Sequence, residues 1–302
     1  MILFSYINGN VKVEIHDDGS KIRTYDGIAN PVHPESIDVK ITNYCDGGCE
    51  YCHEKSTKLG AHGNLKQLAE VLSELPSGVE IAIGGGNPVS HPDLKEFLTT
   101  LKRQGIIANI TVNQKHIKSS TDILLNLINE KLIYGLGISY NSIDNINDIV
   151  PLLEATNNIV FHVIMGVNEV SDVDVLKEFC DKYNKTCNIL VLGYKEYGFG
   201  KKYYLRKSHI ETNKYEWYTN LALHFKQPGL VLSFDNLAIS QLNIRRYFTD
   251  AAWNEFYMGD DFVFTMYIDG VEGKYAASST SSERVNFEDS SLLEYFQKNR
   301  RQ

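Results

Sequence analysis

An α/β fold built on a parallel sheet, one that opens out or closes as a partial barrel, is the class this sequence predicts. Three observations predict it. First, strand and helix patterns alternate about six times between residues 34 and 200, at the spacing of βαβ units. Second, residues 1–33 hold only short β segments separated by turn clusters, which reads as a β meander ahead of the main domain. Third, the alternation stops near residue 200, so residues 201–302 form an α+β extension. The 302 residues, 43% hydrophobic and 23% charged, are enough for one large ordered α/β domain with additions or for two modest domains.

The elements follow in order. ILFSYI, VKVEI and KIRTY are the meander strands, broken at Asn8-Gly9-Asn10 and Asp17-Asp18-Gly19-Ser20. IDVKIT, from Ile37 to Thr42, alternates as a strand and runs into a cysteine-bearing loop. LKQLAEVLSEL has helical spacing with Asn64 as its N-cap, and VEIAIG is the next strand. The helix DLKEFLTTLKRQ, the strand IANITVN, the helix DILLNLINEKL and the strand YGLGISY come next. INDIVPLLEAT is helical, started or kinked at Pro151, and precedes the strand IVFHVIMG, the helix DVDVLKEFCDKY and the strand CNILVLGY. In the last third a helix is predicted from Glu211 to Phe225, a hairpin turns near Asp269-Gly270, and a helix closes the chain between Asp289 and Lys298.

Composition narrows the function classes. A formal net charge of -8 offers no basic footprint for duplex nucleic acid. The start lacks a basic n-region and no run approaches the ~18 apolar residues of a membrane span, so a cytoplasmic protein is expected, with no membrane partner. Five cysteines, three within eight positions, favour metal or redox chemistry over a disulfide framework.

Those three are Cys45, Cys49 and Cys52, on a pliable loop with Asp46, Gly47 and Gly48, and aromatic Tyr51 stands next to the last. Three thiolates on a short loop can hold three irons of a cubane cluster and leave the fourth iron without a protein ligand. Zinc is the alternative, but it needs a fourth ligand, and His53 directly follows Cys52 in awkward geometry.

In CDGGCEYC after KITNY the sequence resembles the radical S-adenosylmethionine (radical SAM) superfamily, whose CxxxCx(aromatic)C motif follows the first strand of a partial (β/α)6 TIM-like barrel. The resemblance implies a 4Fe-4S cluster on Cys45, Cys49 and Cys52, with Tyr51 beside the cofactor. The open iron would chelate the amino and carboxylate groups of S-adenosylmethionine, and one electron, from a donor such as flavodoxin or ferredoxin, would break its S–C5′ bond. The products would be methionine and a 5′-deoxyadenosyl radical that abstracts hydrogen from a substrate.

Further positions carry the resemblance. Gly85-Gly86-Asn87-Pro88 with His91-Pro92-Asp93-Leu94 is similar to the family's GGEP segment, with Asn87 where Glu is common. An amide oxygen still accepts a hydrogen bond from the ligand's ammonium, without charge assistance. Asn113, Ser139 and Asn141 resemble polar positions at the ends of the third and fourth strands. Gly166 and Leu192 stand where adenine would lie against backbone. Read simply as residues, Ser139 ends a strand, Asn141 makes a turn and His162 is a core histidine. Lys195, Tyr197, Lys201 and Lys202 could meet an anionic substrate group or form a solvated loop. FVFTMYIDGVEGKYAASS resembles the hairpin of SPASM-type extensions, with Ala276 and Ala277 where an auxiliary-cluster cysteine is usual.

The expectation is a radical SAM enzyme acting on a peptide or protein side chain, with a nucleotide or small metabolite as the competing substrate. A non-catalytic iron-sulfur or zinc sensing protein is the alternative from another class.

Overall fold

The computed structural model describes residues 1–17, 19–257 and 259–300, so Asp18 of the second meander turn lies outside the described residues. The meander strands β1 (Ile2–Asn8), β2 (Val11–His16) and β3 (Lys21–Thr24) form a separate antiparallel sheet in that order.

The main sheet is built from β4 (Ser36–Thr42), β5 (Glu80–Gly85), β6 (Ile107–Asn113), β7 (Gly135–Ser139), β8 (Ile159–Ile164) and β9 (Cys187–Leu192), each parallel to the next. Between them run α1 (Leu65–Leu72), α2 (Leu94–Arg103), α3 (Gln114–Asn129), α4 (Val150–Ala155) and α5 (Asp172–Lys182). Local chemistry sets their ends. Asn64 caps α1 by accepting from the Gln67 amide, and Pro151 occupies the first turn of α4, where its missing N–H costs nothing.

The last third supplies strands to both flanks of this sheet. Beyond β9 the chain forms α6 (Gly198–Arg206) and α7 (His209–Asn220), then β10 (Leu230–Phe234), which pairs parallel with β9. The helices α8 (Asn236–Gln241) and α9 (Asp250–Phe256) lead to β11 (Thr265–Asp269), parallel to β4 on the opposite flank. The antiparallel strands β12 (Lys274–Ala276) and β13 (Arg284–Asn286) extend that edge, and α10 (Leu292–Asn299) closes the chain. Among the described residues β10 and β13 do not pair, so the sheet stays open.

Side-chain alternation makes this sheet a barrel wall. On β4, Ile37, Val39 and Ile41 are at most 1% exposed and pack in the core, while Asp38 and Lys40 point the other way. On β6, Ala108, Ile110 and Val112 are buried, and Asn109, Thr111 and Asn113 face inward. Inward residues from every parallel strand line one cavity of about 1230 Å³, so the sheet curls around it. The meander covers the end formed by the strand starts: Val11, Val13 and Ile15 bury themselves with Ile107 and Phe264, and Ile15, His16 and Gly19 line the cavity.

Candidate functional site

The cysteine loop leaves the C-terminal end of β4 and is pinned by backbone bonds. The Cys45 amide donates to Thr57 O (3.0 Å), Gly86 N to Thr42 O (2.7 Å), Asn87 N to Tyr44 O (2.7 Å) and Phe199 N to Cys52 O (2.9 Å). Loop, β5 end and α6 start are thus one unit. Glycine is required here: a Cβ on Gly86 would sit 2.1 Å from Tyr44 O, and one on Gly85, at φ +109°, 2.5 Å from Thr42 O. Gly84, by contrast, has open space before it and lines the cavity.

Cys45, Cys49 and Cys52 are all half-buried and free. Burial, followed by the neighbouring thiolates, pushes Cys45 and Cys49 above the usual thiol range, against the Gly47 N–H at Cys45 and Lys115 at Cys49. Among the described residues no three His, Cys, Asp or Glu side chains are arranged to hold a single metal ion. A cubane cluster asks for something else, one thiolate per iron, and this loop carries three.

The start of α3 faces two of these sulfurs. Asn113 caps the helix, its Oδ1 accepting from Lys115 N (3.0 Å) and its Nδ2 reaching Cys49 Sγ at 3.8 Å. Lys115 Nζ lies 3.9 Å from Cys49 Sγ and donates to Gly47 O, and His116 Nε2 lies 3.7 Å from Cys45 Sγ. Lys115 and His116 were not singled out from the sequence. Their signal was adjacency to Asn113 at a strand-to-helix junction.

The remaining expected residues divide. Tyr51, Gly85, Gly86, Asn113, Ser139 and Leu192 line the cavity with Cys45, Cys49 and Cys52. Asn87 follows Gly86 but does not itself line the cavity; it is 8% exposed, and its Oδ1 is buried without a partner. Asn141 donates to the Tyr51 hydroxyl oxygen (3.0 Å), and its own Oδ1 is likewise unpartnered. Gly166 does not line the cavity, nor does Asn141; the Gly166 N–H donates to Asn213 Oδ1 (2.7 Å), and a Cβ there would strike Ile210.

A buried ion network ties the loop to the last third of the chain. Lys40 Nζ pairs with Glu54 Oε2 (2.9 Å) and Asp269 Oδ2 (3.0 Å), and Arg284 Nη1 binds the same Asp269 oxygen (2.8 Å). Burial alone would raise Glu54, but His53 and Lys40 hold it down at about 2. Glu54 stays ionised and fixed two residues from Cys52.

The family model of the Radical SAM superfamily matches residues 39–197, more than half of the chain. The chain belongs to the radical SAM superfamily. Its cofactors are therefore those of the superfamily, a 4Fe-4S cluster and S-adenosylmethionine. A comparison with curated proteins finds no match. Among solved structures, Streptococcus suis SuiB bound to the precursor peptide SuiA superposes with a TM-score of 0.61 at 16% identity, over 89% of this chain and 66% of that one. SuiB bound to S-adenosylmethionine gives a TM-score of 0.58 at 16% identity, over 89% and 67%. This chain thus spans about two thirds of SuiB, and at that identity the likeness is one of fold.

The residues present fit the radical SAM cofactors. Three thiols leave one iron open, and the unpartnered oxygens of Asn87 and Asn141 are buried acceptors of the kind a ligand ammonium or hydroxyl would satisfy. No helix among the described residues is long and apolar enough to cross a membrane.

Proposed function

We propose that this radical SAM protein cleaves S-adenosylmethionine reductively and directs the resulting radical at a peptide or protein side chain. The observation that carries the reading is the cysteine trio at the wall of a cavity of about 1230 Å³, which Gly85 and Gly86 also line. That volume exceeds the ~300–1,000 Å³ of ordinary small-molecule pockets, which leaves room for a substrate segment beside a cofactor. When bound, the cluster and S-adenosylmethionine supply a 5′-deoxyadenosyl radical. Cys45, Cys49 and Cys52 hold the cluster. Asn113 and Lys115 place donors against the Cys49 sulfur and His116 stands against that of Cys45, Asn87 accepts from the cofactor's ammonium, and the cavity wall keeps solvent from the reacting carbon. Reduced flavodoxin or ferredoxin is the proposed electron source. The peptide reading draws on SuiB, which binds the precursor peptide SuiA.

The test is anaerobic reconstitution with iron and sulfide, then reduction by dithionite with S-adenosylmethionine. 5′-Deoxyadenosine is expected from the wild type and none from the variant carrying Cys45→Ala, Cys49→Ala and Cys52→Ala. An intact cluster that yields no 5′-deoxyadenosine overturns the reading. With perdeuterated peptides or nucleosides added in turn, deuterium in 5′-deoxyadenosine identifies the hydrogen donor, and labelling from nucleosides alone overturns the peptide assignment.

A further inference from the structure

The sulfur contacts described above come from α3 and from the loop itself. Gly47 N lies 3.4 Å from Cys45 Sγ, His116 stands beside the same sulfur, and Asn113 and Lys115 stand beside Cys49. A further polar side chain, a few residues beyond Cys52, has no such use. Ser56 is 8% exposed, and its Oγ is buried with no hydrogen-bond partner among the described residues.

The backbone fixes Ser56 beside the cysteines. Lys55 adopts φ +54°, a left-handed conformation uncommon outside glycine, and so reverses the chain just after the loop. Thr57 then forms a parallel bridge with Tyr44: Thr57 N donates to Asn43 O (3.1 Å) and Cys45 N to Thr57 O (3.0 Å). Ser56 is therefore held one residue from the partner of the Cys45 amide.

Two cavities meet there. The barrel cavity touches all three cysteines, and a smaller one of about 310 Å³ is walled by Phe199 and by exposed Asp46, Glu50 and Lys58. Cys45, Cys49 and Ser56 are the residues that line both, so the hydroxyl shares the partition between them with two sulfurs. A hydroxyl buried without a partner bears its full desolvation cost, which an acceptor supplied from outside the chain removes. The acidic side chains of the smaller cavity do not serve: Asp46 pairs with His116 (3.4 Å), and neither it nor Glu50 bonds Ser56 among the described residues. The basic residues that the sequence sets past the last barrel strand do not reach this place either. Lys195 turns into the barrel cavity and donates to Ser279 Oγ (3.0 Å), and Tyr197, Lys201 and Lys202 are exposed outside both linings.

We infer that Ser56 Oγ donates a hydrogen bond to a sulfur of the 4Fe-4S cluster on the side held by Cys45 and Cys49, and so sets how readily the cluster accepts an electron. This rests on the radical SAM reading of the cysteine trio and adds a residue to it. Reduction places negative charge on the sulfurs, and a donor facing them favours the reduced form. The hydroxyl is the only part of Ser56 this role requires.

The test uses the full chain, reconstituted anaerobically and titrated without S-adenosylmethionine against redox mediators, with the reduced cluster followed by electron paramagnetic resonance. At the potential where the wild type is half reduced, the ratio of reduced to oxidised cluster in Ser56→Ala should fall at least about threefold, the effect of one lost hydrogen bond. That is a shift of about 30 mV, at about 59 mV per tenfold for one electron. Ser56→Thr and Ser56→Val, equal in shape, separate the hydroxyl from packing: threonine should stay near the wild-type ratio and valine should follow alanine. An unchanged ratio in Ser56→Ala at wild-type iron content overturns the inference, and so does an equal ratio in the threonine and valine variants should alanine load poorly. Iron and sulfide content and 5′-deoxyadenosine formation by the wild type check the underlying reading separately. A wild type that loads its cluster and cleaves S-adenosylmethionine, beside an alanine variant of unchanged ratio, sinks the Ser56 assignment alone, whereas a wild type that forms no cluster sinks both.

Discussion

At the scale of single residues, Asn87 and Lys115 bear on the proposed cofactor site in different ways. The Asn87 side-chain oxygen is buried and unpartnered, so on the proposed reading a cofactor ammonium would gain its hydrogen bond without displacing a protein donor. Asn87→Ala is expected to weaken S-adenosylmethionine binding about tenfold, read as a dissociation constant on the reconstituted protein. An unchanged constant would remove Asn87 from the cofactor site. Lys115 brings a positive charge to 3.9 Å from Cys49 Sγ. Donors and cations at cluster sulfurs favour the reduced state, so Lys115→Met should lower the cluster's midpoint potential, on the order of tens of millivolts, in a spectroscopic redox titration. His162, which the sequence reading treats as a core histidine, faces the cavity, and burial pushes its pKa down to about 4. Its unfolded value is near 6.5, so between about pH 6.5 and 4 the unfolded chain takes up a proton that the folded one refuses. Stability is present above that window and falls as pH drops through it, by no more than roughly 3 kcal/mol. His162→Gln should flatten this part of the melting temperature against pH curve relative to wild type.

At the scale of elements, the cysteine loop depends on neighbours that touch it through backbone. Gly86 lets the end of β5 lie against Tyr44, and any side chain there would have to displace main chain. Gly86→Ala is expected to lower iron content after reconstitution and the melting temperature together, where a surface glycine would alter neither. The hairpin of β11 and β12 grips the other side of the loop through Asp269, which is fully buried between Lys40 and Arg284. Removing one member of such a network leaves buried charges unpaired, so Asp269→Ala should cost about 3–5 kcal/mol in denaturant unfolding. Much of this level was legible in the sequence. The six alternating strands, the Asn64 cap, Pro151 in the first turn of α4 and the turn after Asp269 were all readable, because period and capping chemistry are local. β10 was not: LVLSF is only five residues long, follows a glycine, and is a strand because β9 offers it an open edge. The segment from Gly198 to Arg206, which includes Lys201 and Lys202 for which the sequence offers an anion-meeting or a solvated loop, is helical and starts against Cys52 O.

At the scale of the whole molecule, the parallel strands enclose a polar cavity, with the meander at one end and the cysteine loop at the other. A sheet face that stays polar in a buried setting marks a site kept for a ligand, since a parallel sheet without one would carry apolar residues on both faces. The meander is part of that enclosure. Deleting residues 1–33 would expose Ile107 and Phe264 and open the lower rim. The truncated chain is expected to melt several degrees lower and to expose apolar surface to a hydrophobic dye; an unchanged melting curve would show the meander to be dispensable.

The sequence by itself determined the cysteine trio, the order of the barrel elements and the family they signal, because ligand spacing and hydrophobic period are written in neighbouring residues. Only the tertiary structure decided which charges meet. Lys40 finds Asp269 across 229 positions, and the α3 start reaches Cys45 and Cys49 across more than sixty. Pairing of that kind is fixed by how the sheet curls, which no local pattern encodes.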